Sequence, residues 1–412
     1  MLLWCCLSLL AFSQLTSSAS PGVKVKLTDK GIEYGRQLGI ASIQKKLRSI
    51  TIPDISGTER VSVIGKVQYS FMQTVAAGLP SSTVDLVPGT SVRLSIGNAF
   101  INMKGNWRVK YRRILKDSGS FDLSVTGLSI SSVVAVKSDE TGRPQVSNVD
   151  CTATVGTGNI KFHGGICPLV ADAVTDLNPQ LKTLNVLAQV DKYAEIEYSM
   201  VADPTIVKSS IGLSLKGEFY NIEKKQETPF PAAVFSLPTE DKKMLYLGVS
   251  AFTANSAAFV YHTAGALSLY ITDDMVDPSN DLSKNIALNF QIAKSFPCLL
   301  MKLLVKTAET PIVTVESNNA TIQATSTVTA YAIQANGTLS PLFVLNMARH
   351  KLFFTVIFLK KCQLFHTPVN KHKVQLAKGY PLPTIGKMKL VNPDLQILKD
   401  YILIGTDVQF TG

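Results

Sequence analysis

The chain is poor in the residue types that carry metal and redox chemistry. Its 412 residues include five histidines and six cysteines. The histidines are scattered along the sequence and no C-x-x-C pair is present, so no group of ligands has the spacing of a zinc site. We therefore predict neither a metal nor a cofactor.

Catalytic motifs are missing as well. The sequence contains no G-x-S-x-G elbow, no P-loop and no complete dinucleotide fingerprint. Asp273 and Asp274 form an acidic pair, but neighbouring residues on a strand point to opposite faces, which suits a structural role better than acid–base catalysis. We predict that the protein is not an enzyme.

An apolar run opens the chain, Met1–Phe12, and it is too short to span a bilayer. Small polar residues follow it, and Ser17-Ser18-Ala19 has the small side chains of a signal-peptidase site. We therefore predict a signal peptide at residues 1–19 and a secreted, extracellular protein. Secretion argues against intracellular nucleic acid as a partner.

Other features suit an oxidising compartment. Four cysteines follow the signal peptide, at Cys151, Cys167, Cys298 and Cys362, and their even number is typical of disulfide pairing. Two N-x-[ST] motifs begin at Asn319 and Asn336 and predict a glycoprotein. Motifs this short also arise by chance, so each glycosylation site remains a hypothesis.

Positive charge is concentrated near the start of the chain. The formal net charge is +11, and residues 20–120 hold 16 Lys or Arg against six Asp or Glu. This asymmetry favours an anionic partner, which charge alone leaves open as nucleic acid, an anionic membrane surface or an anionic glycolipid.

Ile101–Leu128 is the most informative stretch, because apolar and cationic residues alternate around Trp107. A period of two predicts a β-hairpin with one apolar and one cationic face, and we place turns at Gly105-Asn106 and Ser118-Gly119. The alternative is an ordinary solvated strand face. Trp107 contacts either lipid or the protein core, and we favour the core. The cations of the stretch are Lys104, Arg108, Lys110, Arg112, Arg113 and Lys116.

Several other elements follow from the patterns. A helix is predicted from Thr28 or Asp29 to Ser49, with Gly31, Gly35 and Gly39 as a stripe that lets it lie close to a sheet. The other predictions are a strand meander over 60–136, a helical pattern over 169–187, a Pro-rich linker over 217–240 and a second β-rich domain over 241–412.

Several segments spread along the chain are distinctive, among them PGVKVKLTDKGIEYGRQLG, INMKGNWRVKYRR, TGRPQVSNVDC, AKGYPLP and YILIGTDVQF. In these segments the chain resembles the family of bactericidal/permeability-increasing protein and lipopolysaccharide-binding protein. About four fifths of the sequence takes part in the resemblance, in the family's order.

The resemblance implies an α+β fold shaped as a boomerang of two barrels. Each barrel is a highly twisted antiparallel sheet wrapped on helices, and a central sheet and the Pro-rich linker join the two. The implied domains are an N-terminal barrel at 20–216, which binds lipid and lipopolysaccharide, and a C-terminal barrel at 241–412. Two apolar pockets would hold phospholipid.

The resemblance also implies particular sites. The family binds lipid A phosphates at a basic tip, which matches Arg60, Lys66, Arg108, Arg112 and Lys116 here, with Lys104, Lys110 and Arg113 beside them. We call these eight residues the basic tip. The family's disulfide matches Cys151 and Cys167.

The sequence departs from the family in two places. A helical segment is missing between Gly165 and Ile166, which puts the N-terminal pocket in doubt, and residues 346–375 follow no family pattern. Such changes are typical of a variant transcript or an imperfect gene model. Cys362 lies in the second segment, so its pairing with Cys298 is left open.

The first hypothesis is a secreted innate-immune protein that binds lipopolysaccharide of Gram-negative bacteria, with antibacterial or endotoxin-neutralising action. Its partners would be lipid A, phospholipid and the bacterial outer membrane surface, and we expect a monomer. The alternatives are a plasma lipid-transfer protein of the same fold and an inactive isoform.

Overall fold

The computed structural model describes residues 20–49, 51–52, 66–89, 91–111, 115–156, 167–272, 299–355 and 388–411. The predicted signal peptide, Asp273-Asp274, Cys298 and Cys362 lie outside these residues. The helices are α1 Asp29–Ser49, α2 Cys167–Thr175, α3 Asn178–Lys182 and α4 Ala251–Thr263. The strands up to residue 154 are β1 Val23–Thr28, β2 Thr51–Ile52, β3 Lys66–Gly78, β4 Ser81–Val87, β5 Ser91–Tyr111, β6 Leu115–Ser138 and β7 Pro144–Thr154.

The later strands are shorter in the middle of the chain and longer towards its end. Those before residue 251 are β8 Leu187–Gln189, β9 Ala194–Glu197, β10 Thr205–Val207, β11 Ser210–Leu215, β12 Glu218–Asn221 and β13 Leu245–Ser250. Those after it are β14 Ser268–Thr272, β15 Met301–Thr307, β16 Ile312–Glu316, β17 Asn319–Ile333, β18 Leu339–Thr355, β19 Met388–Leu398 and β20 Tyr401–Phe410.

An antiparallel sheet in the order β2-β3-β5-β6-β7, with β4 also paired to β5, forms the N-terminal part. The predicted helix is confirmed as α1, which places Ile40 against the buried side chains of Leu79, Ala99 and Leu128. One face of this sheet therefore packs on the helix, and we call it the inner face.

The predicted hairpin is confirmed, but its predicted turns are wrong. β5 and β6 pair without a break from Ile101↔Val125 to Tyr111↔Leu115, so Gly105-Asn106 and Ser118-Gly119 lie within paired strands and not in turns. Gly105 lies opposite Phe121 and Gly119 lies opposite Trp107. Residues 112–114, between the two strands, lie outside the described part.

The two halves of the chain share a central sheet in the order β10-β11-β1-β13-β20-β19. β1 pairs with β11 on one edge and with β13 on the other. The first described strand is therefore enclosed by strands that come more than 180 residues later, and this sheet joins the N-terminal and C-terminal parts. The domain boundaries themselves stay a prediction.

The C-terminal part contains a sheet in the order β14-β15-β17-β16, and β18 pairs with the other edge of β17. Residues 346–355 of the unusual segment continue β18, and the remainder lies outside the described residues. A three-stranded sheet, β12-β9-β8, packs Ile196 and Phe219 against Val260 of α4. Ser250 caps α4, since its hydroxyl accepts from Thr253 N–H.

Two expectations about helices need correction. A Cβ on Gly31 would lie 2.5 Å from Met244 O, but Cβ atoms on Gly35 and Gly39 would meet nothing within 4 Å, so only the first glycine of the stripe permits close packing.

The pattern over 169–187 forms two short helices, α2 and α3. Pro179 lacks the N–H that a continuous helix needs there, so the two stay separate.

Candidate functional site

The end of the β5–β6 hairpin aligns lysines across three strands. Lys110 on β5 lies opposite Lys66 on β3 and opposite Lys116 on β6. Directly opposite positions share a face, and neighbouring strands lie about 5 Å apart. Like charges directly opposite one another destabilise a sheet, so this register is unusual for a purely structural strand end.

The adjacent rows continue this pattern. Arg108 lies opposite Gln68 and Ser118, and it shares a strand face with Lys110 because the two are two residues apart. Arg60, Arg112 and Arg113 of the basic tip lie outside the described residues. The register thus brings four of its members together, Lys66, Arg108, Lys110 and Lys116.

Lys104 lies further along the same face. Its Nζ is 3.7 Å from Asp122 Oδ1, and the two side chains are 68% and 78% exposed. An ion pair this open contributes little to stability, so the pair leaves the lysine accessible to an anion. Met103 and Gly105 on either side are buried, which confirms one apolar and one polar face for this part of the hairpin. Trp107 belongs, by strand period, to the face of Met103.

An apolar cavity of about 640 Å³ lies between the central sheet, α4 and the C-terminal sheet. Its volume is in the range of small-molecule and lipid pockets. The cavity is lined mainly by aliphatic and aromatic residues, namely Val23, Ile196, Tyr198, Phe219, Leu247, Val249, Thr253, Ala254, Ala257, Ala258, Tyr261, Leu267, Pro311, Val313, Ile322, Leu395, Ile402 and Ile404.

Most polar atoms of this lining are already bonded within the protein. Tyr261 donates its hydroxyl proton to Asp191 Oδ2 at 3.0 Å, and Thr253 donates to Gly22 O at 3.0 Å. Burial raises the pKa of Tyr198 to about 12, so this phenol stays neutral. The cavity therefore offers hydrocarbon contact without charge, which suits acyl chains and excludes a polar substrate.

A partly buried ionic cluster that the sequence did not predict lies beside β9 and β12, two strands that also line the cavity. Lys216 Nζ lies 3.5, 3.7 and 3.2 Å from carboxylate oxygens of Glu197, Glu218 and Glu227. Burial alone would lower the pKa of Lys216, but the three carboxylates outweigh it and raise that pKa. In the sequence, only Lys216, Glu218 and Tyr220 indicate this cluster, because they stand at alternating positions. Glu197 and Glu227 are further away in the sequence and approach the lysine only in the folded chain.

Hydrogen bonds to neighbouring groups stabilise this ionic cluster. Glu218 is 3% exposed, and its Oε1 accepts from both the N–H and the hydroxyl of Thr228, at 3.0 and 2.8 Å. Tyr220 donates to Glu218 Oε2 at 2.8 Å, and burial followed by the nearby carboxylates raises the pKa of this phenol. The cluster holds the linker segment around residue 228 against β12.

The predicted disulfide and the two predicted glycosylation sites lie among the described residues. Cys151 on β7 and Cys167 at the start of α2 are joined by a disulfide, with their Cα atoms 5.6 Å apart. Asn336 lies in an exposed turn, whereas Asn319 is half-buried at the start of β17.

In the part of the chain that the structure describes, no helix has both the length and the hydropathy needed to cross a membrane. No group of three or more His, Cys, Asp or Glu side chains is arranged there to hold a metal ion.

Curled antiparallel sheets around an apolar cavity, with a row of lysines at one strand end, define a lipid-binding protein. The chain belongs to the LBP / BPI / CETP family, whose N-terminal domain model matches residues 31–185 and whose C-terminal domain model matches residues 188–364. Members of this family are lipid-binding proteins and not enzymes.

Individual relatives agree with this assignment. The chain is 58% identical to a bactericidal permeability-increasing protein of Sebastes schlegelii, with all of both chains covered, and 30% identical to a lipopolysaccharide-binding protein of Mus musculus, with 96% and 95% covered. A crystal structure of lipopolysaccharide binding protein matches with a TM-score of 0.57 and 27% identity, over 95% and 99% of the two chains. These matches confirm the family and the fold class inferred from the sequence.

The comparison also bears on the missing segments. The alignment with the Sebastes schlegelii protein runs over 475 positions, whereas this chain has 412 residues, so at least 63 aligned positions have no residue here. The first departure, at Gly165 and Ile166, lies outside the described residues, so the N-terminal pocket stays a prediction.

Proposed function

We propose that this chain is a secreted innate-immune protein that binds lipopolysaccharide through the basic tip and holds phospholipid in its apolar cavity. The observation that carries the proposal is the row Lys66, Lys110 and Lys116, beside Arg108. Phosphates on a sugar would supply the negative charge that this row lacks, through charge-assisted hydrogen bonds.

Two relatives carry names that support the ligand. One is called a lipopolysaccharide-binding protein and the more similar one a bactericidal permeability-increasing protein. Antibacterial action at the outer membrane surface, cleavage of the signal peptide after Ala19 and a monomeric state belong to the same proposal. Acyl chains would contribute about 0.8 kcal/mol for each methylene buried in the cavity.

Lipopolysaccharide binding by the purified secreted chain, measured as salt is raised, tests this function. We expect binding that weakens steadily with salt, because exposed charge pairs are screened. Charge reversal in Arg108→Glu/Arg112→Glu/Lys116→Glu should reduce affinity at least tenfold. The matched control is Lys208→Glu/Lys306→Glu/Lys399→Glu, which reverses three exposed lysines elsewhere. Equal loss in both triple variants would refute the tip.

A lipid-transfer function is the second candidate, and the apolar cavity of about 640 Å³ supports it. Such a protein would move neutral or zwitterionic lipid between vesicles with little dependence on salt. Mass spectrometry of lipid bound to the purified chain separates both functions from an inactive isoform, which would carry none.

A further inference from the structure

The N-terminal sheet carries a lattice of hydroxyl groups on its outer face, opposite the face that packs on α1. One row crosses four strands through Thr83, Ser95, Ser131 and Thr152, each directly opposite the next. Beside it, Ser81 pairs with Gly97, and Ser129 pairs with Thr154. We call these seven Ser and Thr residues the hydroxyl face.

The hydroxyl face lines a depression of about 280 Å³. Gly97 lies on its floor, where a Cβ would come within 3.6 Å of Ser81 Oγ, an ordinary contact distance. The glycine has no positive φ, so its backbone does not require glycine. Because Gly97 has no side chain, open space remains between the neighbouring hydroxyl groups.

The hydroxyls of this face are largely unused within the described residues. Ser95 Oγ and Ser131 Oγ lie 3.5 Å apart, at the limit of a hydrogen bond, and no other side-chain bond of the face is formed there. On the inner face, by contrast, Ser82 accepts from Arg36 and Ser132 donates to Asn148 at 2.8 Å. The outer hydroxyls are thus free to bond a ligand, whereas the inner ones serve the fold.

The hydroxyl face is continuous with the basic tip. β5 and β6 each insert one extra residue, near Asn98 and near Gly127, which switches the outer face from odd to even residue numbers. Beyond these bulges the same face carries Lys104 and then Lys110. Seven residues separate Gly97 from Lys104, or about 23 Å along the strand.

We propose that the hydroxyl face binds a neutral, polyhydroxylated glycan, namely the saccharide portion of the lipopolysaccharide whose lipid A phosphates occupy the basic tip. This inference rests on the proposed function. Sugar hydroxyls both donate and accept, as Ser and Thr hydroxyls do, so the two surfaces are complementary without charge. Lys104, the member of the tip nearest to the hydroxyl face, lies about 23 Å from Gly97, a separation that a long, extended ligand can span.

The hydroxyl face would bind a free glycan weakly, and the binding becomes stronger when the glycan is attached to lipid A. A single neutral hydrogen bond contributes little net free energy in water, because it replaces bonds to water. Once lipid A is bound at the tip, however, the attached glycan is held at high local concentration beside the hydroxyl face. The hydroxyl face therefore raises the affinity of the protein for lipopolysaccharide with a long glycan and leaves its affinity for lipid A alone unchanged.

The test compares smooth lipopolysaccharide, which carries a long glycan, with lipid A alone. In the full secreted chain, Ser95→Ala/Ser131→Ala/Thr152→Val removes three hydroxyls, and Gly97→Val fills the depression. We expect each variant to bind smooth lipopolysaccharide three- to tenfold more weakly than the wild type, with lipid A affinity unchanged. The control Thr327→Val/Thr329→Val removes two hydroxyls from β17 and should change neither affinity.

Each outcome decides the inference. Unchanged affinity of both variants for smooth lipopolysaccharide overturns it, and so does an equal loss for lipid A and smooth lipopolysaccharide in variants with a wild-type circular dichroism spectrum. Gly97→Ala, which adds only a methyl group, provides a milder variant if Gly97→Val does not fold. Delipidated polysaccharide separates the two proposals: if the wild type binds it but not lipid A, the tip fails and the hydroxyl face stands.

Discussion

Lys30 Nζ donates a hydrogen bond of 2.9 Å to Asp407 Oδ1 and so joins the first helix of the chain to its last strand. Lys243 Nζ lies 3.8 Å from the other oxygen of this carboxylate, and Met244 N–H donates to Oδ1 at 3.2 Å. The halves of the protein are therefore held by a charged contact as well as by the strand pairing of the central sheet.

The first prediction concerns this contact. The hydrogen bond from Lys30 holds the pKa of Asp407 below its usual range. A depressed carboxyl pKa gives stability that is present above the pKa of the unfolded state and is lost as the pH falls through the folded-state pKa. Because Lys30 is half exposed, we expect Lys30→Met to lower the free energy of unfolding by only about 0.5–1 kcal/mol at pH 7.

Urea unfolding at pH 7 and at pH 3 measures this effect. The loss should be clear at pH 7 and smaller at pH 3, because pH 3 lies below the ordinary pKa of an aspartate carboxyl and the stability from its lowered pKa is being lost there. Lys208→Met, at an exposed lysine with no ion pair among the described residues, is the control. A loss of equal size at both pH values would show that Lys30 stabilises the protein by packing alone.

Sequence patterns predicted what is local in this fold and missed what is long-range. The alternation of apolar and cationic residues around Trp107 predicted a hairpin with two different faces. The residues typical of helix ends predicted α1. The turns were misplaced because glycine is common in turns, whereas Gly105 and Gly119 lie within long paired strands, which no single segment reveals. The hydroxyl face escaped notice because its residues come from four different strands, β4 to β7, and only the strand register places them side by side.

The ionic cluster around Lys216 gives the second prediction. Removing the lysine in Lys216→Met leaves Glu197, Glu218 and Glu227 close together without a cation. Since breaking a buried pair is costly but Lys216 is 25% exposed, we expect a loss of about 2 kcal/mol in the free energy of unfolding at pH 7.

The pH dependence of this loss has a definite sign. Burial raises the pKa of Glu227, but the hydrogen bond and the charge of Lys216, with hydrogen bonds to Tyr220 and Glu218, together lower that pKa below its usual value. Without the lysine, the crowded carboxylates take up protons more readily, so the gap between wild type and variant should narrow as the pH falls from 7 to 4. Lys225→Met, which breaks the more exposed pair with Glu195, is the control and should cost little. A gap that widens towards pH 4 would contradict this account.

The apolar cavity gives the third prediction. Ala257 and Ala258 are small residues of α4 that line it. Replacing Ala258 by Trp would fill much of the space available to acyl chains, so we expect the amount of lipid that copurifies with the chain to fall at least fivefold. Native mass spectrometry and lipid extraction measure it. Thr263→Trp, at the exposed end of the same helix, should retain wild-type lipid; retention in both variants would exclude this cavity as the lipid site.

The last prediction distinguishes the two glycosylation sites. Asn336 Oδ1 accepts from Thr338 N–H at 3.0 Å and from the Thr338 hydroxyl at 2.7 Å, in an exposed turn that brings the two residues of the motif together. Asn319 is half-buried and pairs with Glu316 and Thr355 on neighbouring strands. Because the transfer of a glycan needs an accessible acceptor, we expect Asn336→Gln, and not Asn319→Gln, to remove the larger part of the glycan mass from the chain secreted by eukaryotic cells. Digestion with peptide N-glycosidase and intact-mass measurement test this, and Thr338→Ala should reproduce the effect of Asn336→Gln because it destroys the same motif.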